Sequence, residues 1–248
     1  MRSTVSQAPG ILCCSVTHLS DAAQINLPLS ETNHLRLRFQ TLAIGIEDFH
    51  LCSLRDVQQC PDISDYIASL GISSATWPLF GVLWRAEELL SQLMMTEPVS
   101  DKRVLELGCG LALASLYLKR QGFDITATDL NPYANDFLSF NSVLNDIAPI
   151  KFEQAGWSDD QTSLGRFDLL IGSDLLYDHH NIKPLVCFLD SHLRPDGEIL
   201  IVDPGRGLTR RFARDMKREG FDAEVRSIEH ESDSGQTATY WVLRFKKH

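Results

Sequence analysis

The stretch VLELGCGLALASL, residues 104–116, decides the fold. An apolar strand pattern runs to Leu107, is broken by Gly108 and Gly110, and is followed by an apolar pattern with helical spacing. A purely structural turn needs only one glycine, whereas two allow the backbone to come close to a ligand. The unpaired N–H groups at the start of the helix would face the same place. The stretch therefore predicts a binding site at this strand end, just after the acidic Glu106.

Strands and helices alternate along the chain on both sides of this turn. Strands are predicted in RVLELG, DITATDL, IKFEQAGW, FDLLIGSDLLY and EILIVDP, with helical patterns between most of them. Near-continuous apolar strands in such an order are typical of a parallel sheet covered on both faces. The last two strands, DAEVRSIEH and TATYWVLRF, have no helix between them and predict an antiparallel hairpin. The predicted fold is therefore α/β, a doubly wound, Rossmann-like, mostly parallel seven-stranded sheet.

The first part of the chain has a different pattern. Residues 1–30 lack sustained periodicity and are predicted to be a flexible leader, whereas residues 31–73 contain alternating apolar positions that predict a small β-hairpin extension. We expect this extension to pack on the edge of the main unit. The predicted main domain spans residues 74–248, and its helix LWRAEELLSQLMM precedes the glycine turn.

Composition limits the classes of protein and partner. The 248 residues are 44% hydrophobic, as in a globular protein, and carry a net charge of −10. That charge argues against sequence-independent binding to nucleic acid and would suit a basic protein surface. The six cysteines show no metal-ligand spacing, and no apolar run approaches the length of a membrane span. We therefore expect a cytoplasmic monomer with no bound metal and no membrane partner.

Two further features bear on the ligand. The dinucleotide fingerprint G-x-G-x-x-G fails because Leu113 stands at its third glycine. About 20 residues beyond the glycines, Asp129 ends the second predicted strand, where a carboxylate can accept hydrogen bonds from both hydroxyls of an adenosine ribose. The pattern favours an adenosine-containing ligand other than NAD.

The segments VLELGCG, TATDLNP, AGWSD and FDLLIGSDLLYD, with ATWP before the first helix, resemble a known family. They are similar to the motifs of class I S-adenosylmethionine-dependent methyltransferases, in particular the seven-β-strand, lysine methyltransferase-like group called methyltransferase family 16. The resemblance covers residues 74–245. It implies S-adenosyl-L-methionine as the cofactor and a protein as the substrate.

The resemblance also implies roles for individual residues. Those expected at the cofactor are Trp77, Glu106, Gly108, Gly110, Asp129, Leu130, Trp157 and Ser173. Within this set the glycine motif would hold the amino-acid end, Asp129 the ribose, and Trp157 an apolar face of the adenine. Ala112 and Ser115 depart from the family pattern, in which glycine is common, and we expect tighter packing there without loss of cofactor.

The D-x-x-Y motif of the group falls on Asp174 and Tyr177, which are the expected catalytic residues. A carboxylate there could orient a lysine amine and balance its developing charge. Aromatic rings of Tyr177 and Trp84 could hold the cationic side chain. Methylation of protein lysine is the first hypothesis. Methylation of arginine or of a small molecule, and a non-catalytic cofactor-binding scaffold, remain alternatives. His179 and His180 lack a third residue with metal-ligand spacing and predict a solvated loop.

Overall fold

The protein is described from a computed structural model, which covers residues 35–59, 65–158, 163–231 and 235–247. The predicted leader, residues 1–30, lies outside the described residues. In chain order the elements are β1 (Leu37–Ile44), β2 (Glu47–Leu54), α1 (Asp65–Ser69), α2 (Arg85–Met94), β3 (Arg103–Leu107), α3 (Leu113–Arg120), β4 (Asp124–Asp129), α4 (Tyr133–Leu144), β5 (Lys151–Gln154), β6 (Phe167–Ser173), α5 (Ile182–His192), β7 (Leu193–Asp203), α6 (Thr209–Arg218), β8 (Phe221–Glu231) and β9 (Thr237–Lys247).

The main sheet has seven strands in the order β5-β4-β3-β6-β7-β9-β8. Strands β3 to β7 are parallel, while β9 is antiparallel to both β7 and β8. The predicted fold class is therefore confirmed, including the antiparallel hairpin at the end of the chain. Strand β3 lies at the point where the strand order reverses, and ligands of doubly wound sheets bind beyond the carboxyl ends of the strands at such a point.

The central strands are buried on both faces, which explains their continuous apolar sequences. Leu105 and Leu107 belong to one buried cluster together with residues of α5 and α6, and Val104 belongs to another with residues of α2. Helix α5 ends at His192, because Leu193 already pairs with Phe167 of β6.

The hairpin of β1 and β2 forms a two-stranded sheet of its own and packs against α4. The amide of Asn141 binds both the N–H and the carbonyl of Cys52, at 2.7 and 3.1 Å. One turn later, the amide of Asn145 binds the N–H and the carbonyl of His50, at 2.8 and 2.6 Å. Two side-chain amides spaced four residues apart thus satisfy the outer edge of β2, where another strand would otherwise be needed.

Candidate functional site

Both glycines after β3 are required by the backbone and by close packing. Gly108 has φ of 53° and Gly110 has φ of 55°, values that residues with a Cβ rarely adopt. A Cβ on Gly108 would lie 2.9 Å from Cδ2 of Leu175, and one on Gly110 would lie 3.0 Å from the carbonyl oxygen of Phe80. The turn is therefore packed from both sides and leaves room only for backbone.

Ala112, where the family pattern has glycine, continues this unusual backbone. It is fully buried, has φ of 59°, and precedes α3 as its N-cap. An alanine in the left-handed region is strained, since its Cβ crowds the backbone there. The core encloses Ala112 completely, so the surrounding packing holds it in this conformation.

Two buried acids hold the start of α3. Glu87, from α2, accepts the N–H of Leu113 at 2.9 Å, and Glu106, from β3, accepts the N–H of Ser115 at 2.9 Å. The hydroxyl of Ser115 also donates to Glu106. Burial raises the pKa of Glu106 to about 7 and raises the pKa of Glu87 well above its usual range. These carboxyls satisfy N–H groups that a helix start leaves unpaired.

Asp129, at the end of β4, accepts hydrogen bonds from the glycine turn. Its Oδ2 accepts the N–H of Gly110 at 3.0 Å, and its Oδ1 accepts the N–H of Asn131 at 2.8 Å. Burial raises the pKa of this carboxyl despite those two hydrogen bonds. Because a carboxylate has about four acceptor positions, Asp129 can still accept hydrogen bonds from a ligand.

A cleft of 530 Å³ opens at the carboxyl ends of these strands. Eight of the predicted site residues line it: Gly108, Gly110, Asp129, Leu130, Trp157, Ser173, Asp174 and Tyr177. Trp157 lies beside the glycine turn, since a Cβ on Gly108 would be 3.9 Å from its ring. The structure therefore brings most of the predicted cofactor and catalytic residues into one space.

Trp77 and Glu106 are not among the residues that line the cleft. Trp77 is 0% exposed and packs edge-on against Phe80 and Tyr133, while its backbone carbonyl accepts a hydrogen bond from the amide of Asn131. The residue supports the wall of the cleft from behind, because Phe80 and Asn131 line the cleft and Trp77 does not. Glu106 is turned inward to α3. In these positions, neither the side chain of Trp77 nor that of Glu106 reaches the cleft to contact a cofactor.

Asp174 follows β6 and is paired with an arginine that sequence reasoning missed. Its φ is 50°, a strained value for a non-glycine residue, and such strain is concentrated at functional sites. Arg206, in the loop after β7, donates to both carboxylate oxygens, from Nε at 3.2 Å and from Nη2 at 2.5 Å. The guanidinium also lies 5.8 Å from the ring centre of Trp84. Burial raises the pKa of Asp174, and Arg206 opposes that rise.

Tyr177 lines the cleft as a residue that is 51% exposed, and partial burial raises the pKa of its hydroxyl. The next three residues, Asp178, His179 and His180, place a carboxylate and two imidazoles within 4.8 Å of one another. The N–H of His180 and its ring bind the carboxylate of Asp178 at 2.9 and 3.1 Å, which also lowers the pKa of that carboxyl. In the loop before α5, the carboxylate of Asp178 thus accepts hydrogen bonds from its exposed neighbour His180.

Three lining residues with charged side chains were not singled out from the sequence: Glu87, Asp178 and Arg206. The only signal for Glu87 is an acid on the apolar face of α2, where it is 3% exposed. The signal for Arg206 is its place between Gly205 and Gly207 at the end of a parallel strand. Neither feature identifies a partner, because the partners come from distant segments.

The fold and the cleft together define a Rossmann-like protein with a ligand cleft beside the glycine turn at the switch point of the sheet. Comparison with known families identifies its class. Residues 84–248 match the family described as methyltransferase domain, and the match covers more than half of the chain. The chain belongs to this methyltransferase-domain family.

Individual relatives and structures are similar over part of their length. The electron transfer flavoprotein beta subunit lysine methyltransferase of Xenopus laevis is 30% identical over 133 residues, which are 52% of this chain and 53% of the relative. A histidine protein methyltransferase 1 homolog of Dictyostelium discoideum is 29% identical over 47% of this chain and 40% of its own. The chain thus spans about half the length of the curated relatives it matches.

A solved TehB-like SAM-dependent methyltransferase from Corynebacterium glutamicum has a TM-score of 0.51 and 21% identity. The match covers 74% of this chain and 93% of that one. This likeness supports the fold.

Proposed function

We propose that the protein is an S-adenosylmethionine-dependent methyltransferase that acts on a lysine of a protein. The observation that carries this proposal is the position of two acids on either side of the glycine turn. Asp129 ends β4 and Asp174 follows β6, the two strands that flank β3, and both acids line the same cleft. One acid is thereby available for a ribose and the other for the group that is methylated.

The cleft fits the cofactor chemically. A volume of 530 Å³ lies within the range of about 300–1,000 Å³ that small-molecule sites have. Gly108 and Gly110 line the cleft with backbone alone, which suits the close approach of the amino-acid end. Asp129 would accept the ribose hydroxyls, and Leu130 and Trp157 would cover the adenine. Ser173 would lie near the methionine part, as the resemblance implies.

The chemistry of the proposed reaction needs little covalent help from the protein. The lysine side chain would enter as a cation and release its proton to water. The protein would then bring the neutral amine into line with the methyl group that the sulfonium of the cofactor supplies, so that an N–C bond forms as the S–C bond breaks. Asp174 would accept a hydrogen bond from the amine and stabilise the positive charge that develops on nitrogen. Tyr177 and Trp84 would offer aromatic surface to the cationic side chain.

Several acceptors other than lysine are consistent with this site. Lysine is favoured because the relatives from Xenopus laevis, Mus musculus and Danio rerio are named as lysine methyltransferases. The Dictyostelium relative is named for histidine, so a ring nitrogen is the second candidate. Arginine and a small molecule remain open, and a non-catalytic scaffold would have no need for a carboxylate placed at Asp174.

The experiment is direct transfer of a labelled methyl group. The full chain is incubated with S-adenosylmethionine labelled at the methyl, together with cell extract or purified electron transfer flavoprotein beta subunit. Labelled protein is hydrolysed and its methylated amino acids are separated, so that methyllysine, methylarginine and methylhistidine are distinguished. Calorimetry with S-adenosylhomocysteine and with NAD runs in parallel. Binding of NAD in place of S-adenosylhomocysteine would overturn the proposal.

We also propose that the protein works as a cytoplasmic monomer without nucleic acid. The net charge of −10 supports the last point, because nucleic-acid binding needs a positive surface. Among the described residues, no helix has the length and apolar character needed to cross a membrane. Light scattering of the purified protein and fractionation of cells test the oligomeric state and the compartment.

A further inference from the structure

Arg206 occupies the place where the acceptor's cation is expected. Asp174 and the ring of Trp84 are the groups assigned above to a lysine side chain, and the guanidinium of Arg206 already contacts both. All three residues line the cleft. The side chain of Asp174 is only 11% exposed, so little of its carboxylate is left for a second cation.

Hydrogen bonds fix the two ends of the loop that carries Arg206, whereas glycines on both sides of the arginine allow its backbone to change conformation. Asp203 accepts hydrogen bonds from the N–H of Gly205 at 2.7 Å and from the hydroxyl of Thr209 at 3.0 Å, and these contacts hold both ends of the loop. Gly205 and Gly207 flank the arginine with φ of 79° and 95°. A Cβ on Gly207 would have no atom within 4 Å. The backbone beside Arg206 can therefore change without a clash on that side.

The pair of Arg206 and Asp174 can be exchanged at low cost. The side chain of Arg206 is 45% exposed, so water can solvate the guanidinium when it leaves the carboxylate. An entering cation would take the place of the guanidinium, so the buried carboxylate of Asp174 would not be left unpaired and the exchange would avoid the large cost of an uncompensated buried charge. A substrate amine placed by other contacts can therefore compete for the same carboxylate.

We infer that Arg206 is an intramolecular competitor of the substrate, a residue that fills the acceptor position and withdraws when a cationic side chain enters. It would thereby restrict methylation to acceptors that bind well enough to displace it. The inference rests on the proposed function, since it assumes that the methyl-donating end of the cofactor lies near Asp174.

The test uses binding alone, because no acceptor needs to be known. Sinefungin is an S-adenosylmethionine analogue that carries an amine in place of the transferred methyl, and so presents a cation to the acceptor position. Calorimetry measures its affinity relative to that of S-adenosylhomocysteine, which lacks this group. In Arg206→Ala the ratio of the two affinities should rise by about tenfold, as expected when a cation gains a hydrogen bond to a freed carboxylate.

Two variants control the measurement. Arg211→Ala removes the same charge from an exposed position on α6 and should leave the ratio unchanged. Adding Asp174→Asn to Arg206→Ala should abolish the gain. An unchanged ratio in Arg206→Ala, or a gain that survives Asp174→Asn, would overturn the inference while the proposed function stands. Failure of the wild-type protein to bind S-adenosylhomocysteine would overturn the proposed function and, with it, this inference.

Discussion

Glu106 contributes one part of the pH dependence of stability, and a single substitution should remove that part. Its carboxyl is 1% exposed and accepts hydrogen bonds from the N–H and the hydroxyl of Ser115. Burial raises its pKa from 4.5 to about 7, because water no longer solvates the ionised form. Glu106→Gln keeps the shape and an acceptor oxygen for Ser115, and it removes the group that titrates.

The magnitude follows from the two pKa values. The folded protein binds the proton of Glu106 more tightly than the unfolded chain does, so the contribution of this group to stability is greatest below pH 4.5 and falls as the pH rises to about 7. Each factor of ten in proton affinity is worth about 1.4 kcal/mol, so the loss between these limits is about 3 kcal/mol. The free energy of unfolding of Glu106→Gln minus that of the wild type should therefore be about 3 kcal/mol larger at pH 8 than at pH 4.5.

Urea unfolding followed by circular dichroism at several pH values measures this difference. The comparison between pH values cancels any constant effect of the amide on packing. Glu224→Gln, an exposed change on β8, is the matched control and should leave the pH profile of the wild type in place. A Glu106→Gln protein whose stability falls with pH as steeply as the wild type would show that another group carries the dependence.

Three further changes test the cleft. Asp129→Ala should weaken S-adenosylhomocysteine binding by about 2 kcal/mol through loss of two charge-assisted hydrogen bonds, and calorimetry that shows equal affinity would contradict its ribose role. Gly110→Ala should cost about 2 kcal/mol of stability in urea unfolding, more than Gly122→Ala, because both positions have positive φ but only Gly110 faces an atom, at 3.0 Å. Equal costs would argue against the close contact. Asp174→Asn should lower kcat about 100-fold with little change in cofactor affinity, since its charge acts in the transition state; full activity would make Asp174 structural.

The fold could be predicted from the sequence because its signals are local and agree with one another. Near-continuous apolar strands, the glycines after β3, and the missing helix between β8 and β9 each depend on residues close in sequence. Parallel strands then bring their carboxyl ends to the same edge. Asp129 and Asp174 could therefore be expected in one cleft, although they are 45 residues apart.

The failures involve contacts between distant segments. An alternating pattern shows that β1 and β2 form a hairpin, but not that Asn141 and Asn145 on α4 would satisfy its edge. The sequence also does not distinguish a tryptophan that faces the ligand from one that packs behind the wall of the cleft. Trp77 packs behind the wall. The pairing of Arg206 with Asp174 spans 32 residues and depends on the course of the loop after β7.

The carboxyls around the glycine turn explain how an open cleft can keep a strained backbone in place. Asp129 and the two acids that hold the start of α3, Glu87 and Glu106, each accept a backbone N–H of the turn or of the first turn of the helix. Their burial is unfavourable, as their raised pKa values indicate, yet it fixes N–H groups and dihedral angles before a ligand arrives. Binding then needs little reordering of the chain, which lowers its entropic cost. Burial of these acids thus lowers stability at neutral pH, and the same acids keep the binding turn formed in the absence of a ligand.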